Sequence, residues 1–526
     1  MKPARALASL LLSIAPAMAQ TVASANPDAA SMPNRCAANP GLGDLTSKPS
    51  WNGFGAGLSN TRSQGVAAAQ LNGPWLGQLK LKWAFGFPGA QSASALPVVV
   101  AGRVFVGVDT GYVYSLDAAT GCVYWSYHAD AGVRAAVSVG RSEKPGESLT
   151  YFGDLKGNVY ALNAATGAQV WKVSADPHPL ARITAAPQLY QDRLYVPVSS
   201  LEEPAAANPA YQCCTFRGSV AALDAQTGHA IWKTYIIPNA PKATGKNAKG
   251  TQQFGPAGGA VWNTPTIDPK RRALYIGTGD AYTEPAPKTT DSIVALSLDD
   301  GRLLWSVQDT PNDAWVVACM RPSGKDNCPK DAGPDYDFGS SPMLIDLPSG
   351  RSLLIAGQKS GFVWAHDPDR KGAVAWKTAV FTKAPEPEGQ IVWGGSVDDS
   401  AAYFGLRGGG IVSVALENGE RRWLTPIESA EGRRTGQDAA VSSIPGYIFS
   451  GGWDGVLRIL SSLDGKIVWS FDMDQEFKTV NGTPARGGSI GAGGPSIAGG
   501  MLFAGGGSAG APDGVNGSVL LAFGTQ

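Results

Sequence analysis

The sequence predicts an all-β protein, an eight-bladed β-propeller, from an internal repeat, from the spacing of repeated tryptophans and from matching strands at the two chain ends. Seven segments share a short apolar strand, a polar turn, a glycine and a tryptophan. Self-similarity of this kind indicates a stacked array of equivalent supersecondary units. The copies are VYSLDAATGCVYW (113–125), VYALNAATGAQVW (159–171), VAALDAQTGHAIW (220–232), IVALSLDDGRLLW (293–305), FVWAHDPDRKGAVAW (362–376), IVSVALENGERRW (411–423) and VLRILSSLDGKIVW (456–469).

Each copy is interpreted as part of one antiparallel blade. The alternating apolar residues favour a half-buried strand, and the Asp/Asn-containing turn with its glycine favours a hairpin to the next strand. The repeat tryptophans are 46 or 47 residues apart at both ends of the array and 61 to 73 residues apart in its middle. The middle blades therefore carry insertions, and loops on a rigid scaffold commonly carry binding groups.

An eighth blade is predicted from both ends of the chain. The segment LKLKWAFGF (79–87), which contains Trp83, is expected to pair with the C-terminal strands MLFAGGG (501–507) and SVLLAFG (518–524). Such pairing closes the ring and leaves no open sheet edge.

The chain is divided into three segments. Residues 1–19 have Lys2 and Arg5 before an apolar stretch and end in Ala-Met-Ala, which is typical of a cleaved secretory signal. Residues 20–50 form an N-terminal extension, and residues 51–526 form a single propeller. No later stretch is long and apolar enough to span a bilayer, so we expect a soluble protein of the bacterial periplasm.

The charge balance excludes some classes of partner. Lys plus Arg and Asp plus Glu both number 43, which gives no global field to attract nucleic acid or an anionic membrane. Only 16% of the residues are charged. That proportion suits a neutral substrate, and it is equally typical of a Gly-rich β protein.

The six cysteines are expected to be oxidised in that compartment. Cys319 and Cys328 flank a short polar loop and are natural partners, which leaves Cys36 to Cys122, while Cys213 and Cys214 are adjacent. The haem-attachment pattern C-x-x-C-H is absent from the sequence, so electrons taken from a substrate would leave through another protein.

A secreted propeller with these tryptophan-bearing repeats resembles the pyrroloquinoline quinone (PQQ) dehydrogenases, and in particular their polyvinyl alcohol dehydrogenase branch. The resemblance implies oxidation of an alcohol, PQQ as cofactor, Ca²⁺ or a lanthanide as metal, and a separate cytochrome c as electron acceptor. A secondary-alcohol polymer is the substrate it implies. The segments that carry it are WNGFGAGLSNTR (51–62), LKLKWAFGFPGA (79–90), CCTFRGSVAALDAQTG (213–228), TPNDAW (310–315) and GPDYDFGSSP (333–342).

The same resemblance implies a set of cofactor-binding residues. Arg134 matches the arginine that pairs with a PQQ carboxylate, and Trp262 matches the tryptophan that lies against the PQQ plane. Thr184 and Ser199 match two PQQ-binding hydroxyls. Adjacent cysteines form a disulfide ring on PQQ in many relatives, although there the pair precedes the arginine, whereas Cys213 and Cys214 follow it here.

For the metal and the chemistry, the resemblance implies Glu202 and Asp280 as ligands, with Asp280 in a place where the family usually has Asn. Lys359 matches the cation beside the reactive carbonyls. The family's base directly follows a tryptophan, but here Trp315 is followed by Val316. We therefore expect the base and third metal ligand to be Asp337, with Asp335 as the alternative.

Two other functions fit the sequence. One is a PQQ dehydrogenase for a small alcohol, a sugar or a phenolic alcohol. The other is a non-catalytic propeller scaffold of the cell envelope, which Val316 favours and which the set of Glu202, Trp262, Asp280 and Lys359 opposes.

Overall fold

Eight antiparallel sheets form the blades of a closed ring in the computed structural model, which describes residues 32–321, 324–381, 389–428, 432–508 and 514–525. The predicted eight-bladed all-β fold is confirmed. The first strands of neighbouring blades contact one another and so lie innermost, around the central axis. Within the described residues, no helix has the length and apolar character needed to cross a membrane.

From the axis outward, the strands of blade 1 are Val98–Val100, Arg103–Gly107, Tyr112–Asp117 and Val123–His128, and those of blade 2 are Ser138–Arg141, Ser148–Gly153, Asn158–Asn163 and Gln169–Ser174. Those of blade 3 are Gln188–Tyr190, Arg193–Ser200, Ser219–Asp224 and Ala230–Tyr235, and Ala181–Arg182 pairs with the second of them. Those of blade 4 are Thr266–Asp268, Ala273–Gly277, Ser292–Ser297 and Leu303–Gln308.

The strands of blade 5 are Met343–Asp346, Ser352–Gly357, Phe362–Asp367 and Ala373–Ala379, and those of blade 6 are Gly395–Val397, Ala401–Leu406, Gly410–Ala415 and Arg421–Pro426. Those of blade 7 are Ser442–Ile444, Tyr447–Gly451, Val456–Ser461 and Ile467–Asp472. Those of blade 8 are Ser496–Ala498, Met501–Gly506, Val519–Gly524 and Lys80–Gly86.

Short helices and two hairpins lie between the blades. The helices are Val66–Ala69, Gly73–Leu76 and Glu202–Ala205, with 3-10 turns at Val317–Met320 and Pro368–Arg370, and the hairpins pair Lys242–Lys246 with Gln252–Gly255 and Glu476–Phe477 with Ala485–Arg486.

The eighth blade closes the ring as predicted. The N-terminal strand Lys80–Gly86 pairs antiparallel with Val519–Gly524, which places Trp83 opposite Ala522, and Val519–Gly524 pairs in turn with Met501–Gly506. Both ends of the propeller are thereby held in one sheet.

Seven of the eight blade tryptophans dock on the turn of the next blade, which explains why the repeat needs both its tryptophan and its glycine, whereas Trp469 packs against Phe523. The indole Nε1 of Trp171, for example, donates to the carbonyl of Ala225 at 3.0 Å. A Cβ on Gly228 would lie 2.8 Å from the Trp171 ring, and Gly228 has φ +75°. The same docking joins Trp83 to Gly121, Trp125 to Gly167, Trp232 to Gly301, Trp305 to Gly372, Trp376 to Gly419 and Trp423 to Gly465.

We expect Gly228→Ala to destabilise the protein by about 1–3 kcal/mol more than Gly146→Ala, because overpacking adds to the cost of the left-handed backbone. Gly146 is the matched control, since it has φ +79° but nothing within 4 Å of an added Cβ. Urea unfolding of both variants measures the difference. Equal losses would show that the tryptophan moves aside without cost.

The segment of residues 51–62 lines the inside of the ring and serves as an axial plug. The backbone of Trp51 exchanges two hydrogen bonds with Val99, and Asn52 pairs with the backbone of Val139. Its later carbonyls accept from the innermost strands of blades 4, 5, 6 and 7, at Ile267, Leu344, Val397 and Ser443. The plug thus satisfies strand edges that would otherwise face the axis unpaired.

Arg62 anchors the end of the plug. Its side chain is 1% exposed and donates to the carbonyls of Phe54 and Val441 at 2.8 Å, and to Gly493 at 2.9 Å. Burial lowers the pKa of the Arg62 guanidinium to about 9. Carbonyl oxygens, the Ser442 hydroxyl and the rings of Trp51 and Phe54 surround its charge.

All three expected disulfides are present. Cys36 is bonded to Cys122, which ties the described part of the N-terminal extension to blade 1, and Cys319 is bonded to Cys328. Cys213 and Cys214 are bonded to each other. The predicted signal segment, residues 1–19, lies outside the described residues.

Candidate active site

The predicted site residues converge on one face of the ring. Successive strands of a blade are antiparallel, so the start of each innermost strand and the end of each second strand lie on the same face. Asp337 precedes the innermost strand of blade 5, and Lys359 follows the second strand of that blade. Asp280 and Glu203 follow the second strands of blades 4 and 3.

Three carboxylates meet around one ammonium group at this face. Asp280, Asp335 and Asp337 each place an oxygen within 4.8 Å of the others. The Nζ of Lys359 donates to Asp335 Oδ1 at 2.6 Å and to Asp337 Oδ2 at 2.9 Å. The backbone N–H of Asp280 donates to Asp337 Oδ1 at 2.7 Å. We call Asp280, Asp335, Asp337 and Lys359 the carboxylate cluster.

The cluster has more negative charge than Lys359 can balance. Burial, and next the charge of Asp337, raise the pKa of Asp280 well above its ordinary value. Burial acts against the Lys359 ammonium, but the charges of Asp335 and Asp337 raise its pKa well above the ordinary range. The buried Oδ2 of Asp280 has no hydrogen-bond partner among the described residues. An excess of buried oxygen donors suits a hard divalent or trivalent cation.

The structure places Glu202 outside this cluster and turns its neighbour toward it. Glu202 is fully buried, and its two oxygens accept from the backbone N–H groups of Thr215 and Phe216, both at 2.7 Å. The Tyr211 hydroxyl also donates to Glu202, at 2.8 Å. Glu202 is therefore hydrogen-bonded to the loop that follows Cys213 and Cys214, and its role as a metal ligand stays a prediction.

Glu203 is the carboxylate of this helix that faces the cluster. Burial, and next the charge of Asp335, raise the pKa of Glu203 to about 8. Consecutive residues at the start of the helical turn Glu202–Ala205 project in different directions, which sequence spacing alone does not resolve.

Asp313, whose role the sequence analysis did not identify, shapes the loop that carries Asp335. Its carboxylate accepts from the backbone N–H of Asp335 at 3.1 Å and of Tyr336 at 2.7 Å. Asp313 lies in TPNDAW, the segment that in this chain lacks an acid after Trp315. Through Asp313, this segment therefore fixes the backbone of the later loop that carries Asp335.

A small cavity on the axis adjoins the cluster and is lined by three of the predicted cofactor-binding residues. Arg134, Thr184 and Trp262 line it, together with residues that precede the innermost strands of four other blades. The Thr184 and Ser199 hydroxyls are hydrogen-bonded to each other at 2.8 Å. The cavity volume is about 40 Å³, space for one or two water molecules.

Trp262 separates this cavity from the carboxylate cluster. The Nζ of Lys359 lies 5.4 Å from the centre of the Trp262 ring. A Cβ on Gly339 would lie 2.0 Å from the ring, so only glycine permits the indole to occupy this place.

Two residues that the sequence analysis missed lie near Arg134. Trp393 packs edge-on against Trp262 with ring centres 5.2 Å apart, and the Arg134 guanidinium lies 4.7 Å from the Trp393 ring. The matching Val-Trp pairs of AVWNTP (260–265) and IVWGGS (391–396), each just before an innermost strand, are a sequence signal for Trp393.

The second missed residue, Arg182, faces Arg134. Burial, and next the charge of Arg182, lower the pKa of Arg134 to about 10. The buried Nε of Arg134 has no hydrogen-bond partner within the described part of the chain. Two neighbouring guanidinium groups with an unused donor form a site for an anion such as a carboxylate.

The Cys213–Cys214 disulfide does not line the axial cavity. Both cysteines are buried in an apolar cluster that includes Val316 and Tyr282. Cys213 lines a separate groove together with Tyr282 and Cys328.

Comparison with known proteins gives consistent results. The family model for "PQQ: Glucose/ethanol/alcohol dehydrogenase, beta-propeller domain" matches residues 51–376. A polyvinylalcohol dehydrogenase of Pseudomonas sp. is 38% identical over 508 residues, which is 91% of this chain and 78% of the relative. Another, from Sphingopyxis sp. strain 113P3, is 34% identical over 521 residues, 93% of this chain and 78% of the relative.

A solved structure has the same fold. The quinohemoprotein alcohol dehydrogenase of Comamonas testosteroni superposes with a TM-score of 0.65 at 18% identity, covering 91% of this chain and 80% of that one.

Proposed function

Because the chain belongs to the family of PQQ-dependent alcohol dehydrogenases, we propose that it oxidises secondary alcohol groups of polyvinyl alcohol, or of a similar polyhydroxylated substrate, to ketones. The observation that carries the proposal is the carboxylate cluster, in which Lys359 holds two aspartates beside the unpartnered oxygen of Asp280. An intact cluster of this kind does not fit a non-catalytic scaffold.

The residues present fit PQQ, a flat quinone with three carboxylates. When bound, PQQ supplies the quinone that accepts two electrons from the alcohol. Arg134, with its unused Nε, and Arg182 would hold carboxylates, Thr184 and Ser199 would supply hydroxyl donors, and Trp262 would supply an aromatic face. Since the axial cavity is too small for a tricyclic ring system, these residues would act at its rim, where Trp262 meets Lys359.

The oxygen donors fit Ca²⁺ or a lanthanide ion. Asp280 and Asp337 would bind the metal as the resemblance implies, and Glu203 takes the place proposed for Glu202. All three are carboxylates, and Asp280 retains an unpartnered oxygen. An anionic donor set of this kind favours a hard cation of high charge.

Hydrogen bonding separates the roles of the two candidate bases. Asp337 uses one oxygen for the Asp280 N–H and the other for Lys359. Asp335 uses only Oδ1, for Lys359, and 24% of its side chain is exposed. We therefore propose that Asp335, the alternative in the sequence analysis, takes the hydroxyl proton of the substrate, while Asp337 orients Lys359 and the metal.

We further propose that the protein works in the periplasm and passes electrons to a separate cytochrome c. Three disulfides support an oxidising compartment. The absence of C-x-x-C-H from the sequence supports a separate electron acceptor.

Binding of PQQ is expected to require the metal, because the carboxylates of Asp280 and Glu203 would otherwise repel the electron-rich edge of the quinone. Titration of the apoprotein with PQQ, followed by absorbance, should give tight binding with Ca²⁺ and at least tenfold weaker binding with excess chelator. Glu203→Gln should weaken binding in Ca²⁺, whereas Glu417→Gln, an exposed control, should not. Equal binding with and without Ca²⁺ would remove the metal from the site.

The loaded enzyme tests the substrate. With an artificial electron acceptor, polyvinyl alcohol should be oxidised. Turnover of small primary alcohols, sugars or phenolic alcohols with none of the polymer would assign the enzyme to that other substrate class.

A further inference from the structure

A polar groove lies beside the carboxylate cluster and is built from insertions between the blades. It has a volume of about 270 Å³ and is open to solvent. One wall is the hairpin of strands Lys242–Lys246 and Gln252–Gly255, and the other is formed by residues 326–330, which include Cys328 of the Cys319–Cys328 disulfide. Since ligand pockets usually measure about 300–1,000 Å³, this volume suits a short stretch of a ligand.

The groove is preformed, because buried amides lock its two walls together. Asn247 of the hairpin donates to the side-chain oxygen of Asn327 at 2.8 Å and to the Pro209 carbonyl at 2.9 Å. The Asn327 amide donates in turn to the carbonyls of Ala206 and Asn208. Both Asn side chains are thus committed to the walls.

The second wall is also tied to blade 4. The Glu284 carboxylate accepts from the backbone N–H of Lys330 at 3.0 Å and of Asp331 at 2.8 Å. Binding of a ligand would therefore cost little conformational entropy in the walls of the groove.

Two uncharged polar side chains of the groove remain available to a ligand. Thr244 makes no side-chain hydrogen bond in the described structure, and Gln253 donates only to backbone carbonyls of its own hairpin at 3.2 and 3.3 Å. The floor is apolar, from Phe254, Tyr282 and Cys213. Lys246 and Lys330 on the rim are balanced by Glu284 and Asp326, so the groove has no net charge to select an ion.

The groove and the carboxylate cluster share a short stretch of chain. Asp280 belongs to the cluster and Tyr282, two residues further along the chain, is part of the groove floor. A chain that placed one carbinol at Asp335 could therefore continue over Tyr282 between the two walls.

We propose that this groove binds the part of a neutral polyhydroxylated chain next to the reacting carbinol, with methylene edges on Phe254 and Tyr282 and hydroxyl edges on Thr244 and Gln253. This proposal rests on the proposed function. It explains why the enzyme would prefer a polymer to a small alcohol. A carbon chain with alternating hydroxyls has an apolar and a polar edge, which matches this floor and these walls.

The double variant Thr244→Val, Gln253→Leu tests the groove, with Gln252→Leu as its control. Adjacent strand residues face opposite sides, so Gln252 lies on the same hairpin but does not line the groove. In the loaded enzyme, the double variant should raise the ratio of KM for polyvinyl alcohol to KM for pentane-2,4-diol by about tenfold, the loss expected for two neutral hydrogen bonds. The control should change this ratio less than about twofold.

Equilibrium dialysis of labelled polyvinyl alcohol against protein without PQQ gives a readout independent of turnover. The double variant should bind the polymer about tenfold more weakly than the control. Equal affinity of the two variants would overturn the proposal. Failure of the loaded wild-type enzyme to oxidise either alcohol would reject the proposed function instead, and the dialysis would still decide the groove.

Discussion

Replacement of Asp335 by Asn is expected to lower turnover by about 10²–10⁴ while PQQ stays bound, because a positioned base contributes rate enhancement of that size. Asn keeps the shape of the side chain but cannot accept the substrate proton. The measurement is single-turnover reduction of bound PQQ by polyvinyl alcohol, with PQQ affinity determined on the same sample by absorbance.

Two companion variants make this result decisive. Asp337→Asn should mainly weaken metal-dependent PQQ binding, since both of its oxygens hold Lys359 and the Asp280 backbone. Asp331→Asn, an exposed aspartate of the same loop, should be close to wild type. An active Asp335→Asn enzyme beside an Asp337→Asn enzyme that binds PQQ but does not turn over would return the role of base to Asp337.

Arg62→Met is expected to lower the free energy of unfolding by at least about 3 kcal/mol. Methionine fills much of the space but leaves the carbonyls of Phe54, Val441 and Gly493 buried without a donor, and each such carbonyl costs about 1–3 kcal/mol. The free energy lost in this way exceeds the free energy gained because the Arg62 guanidinium is no longer buried. Urea unfolding followed by tryptophan fluorescence measures the difference.

Arg141→Met is the matched control. Its side chain is 76% exposed and pairs only with Asp44, at 3.5 Å, so the change should stay within about 0.5 kcal/mol. A loss of similar size in both variants would show that the plug contributes no more than an ordinary surface segment.

The architecture could be predicted from the sequence because its determinants repeat. Each blade needs a tryptophan that reaches the next turn and a glycine that leaves room for it, as Trp171 and Gly228 show. These needs recur along the chain and are visible as a period. The closing strand with Trp83 could be predicted for the same reason, since an eighth tryptophan had no other blade to join.

The broad composition of the site was also predictable, since Asp280, Asp335, Asp337 and Lys359 lie in short segments that resemble family motifs. Their convergence is a consequence of the ring, which brings the same end of neighbouring blades to one face.

Only the tertiary structure decided which side chain faces which partner. Glu202 and Glu203 are neighbours in sequence, but the backbone amides of Thr215 and Phe216 capture the first and leave the second to the cluster. Likewise, Asp335 and Asp337 differ in their hydrogen bonds, because only Asp337 has a second donor, the Asp280 N–H. Such choices depend on hydrogen-bond donors far away in the chain, which a local pattern does not record.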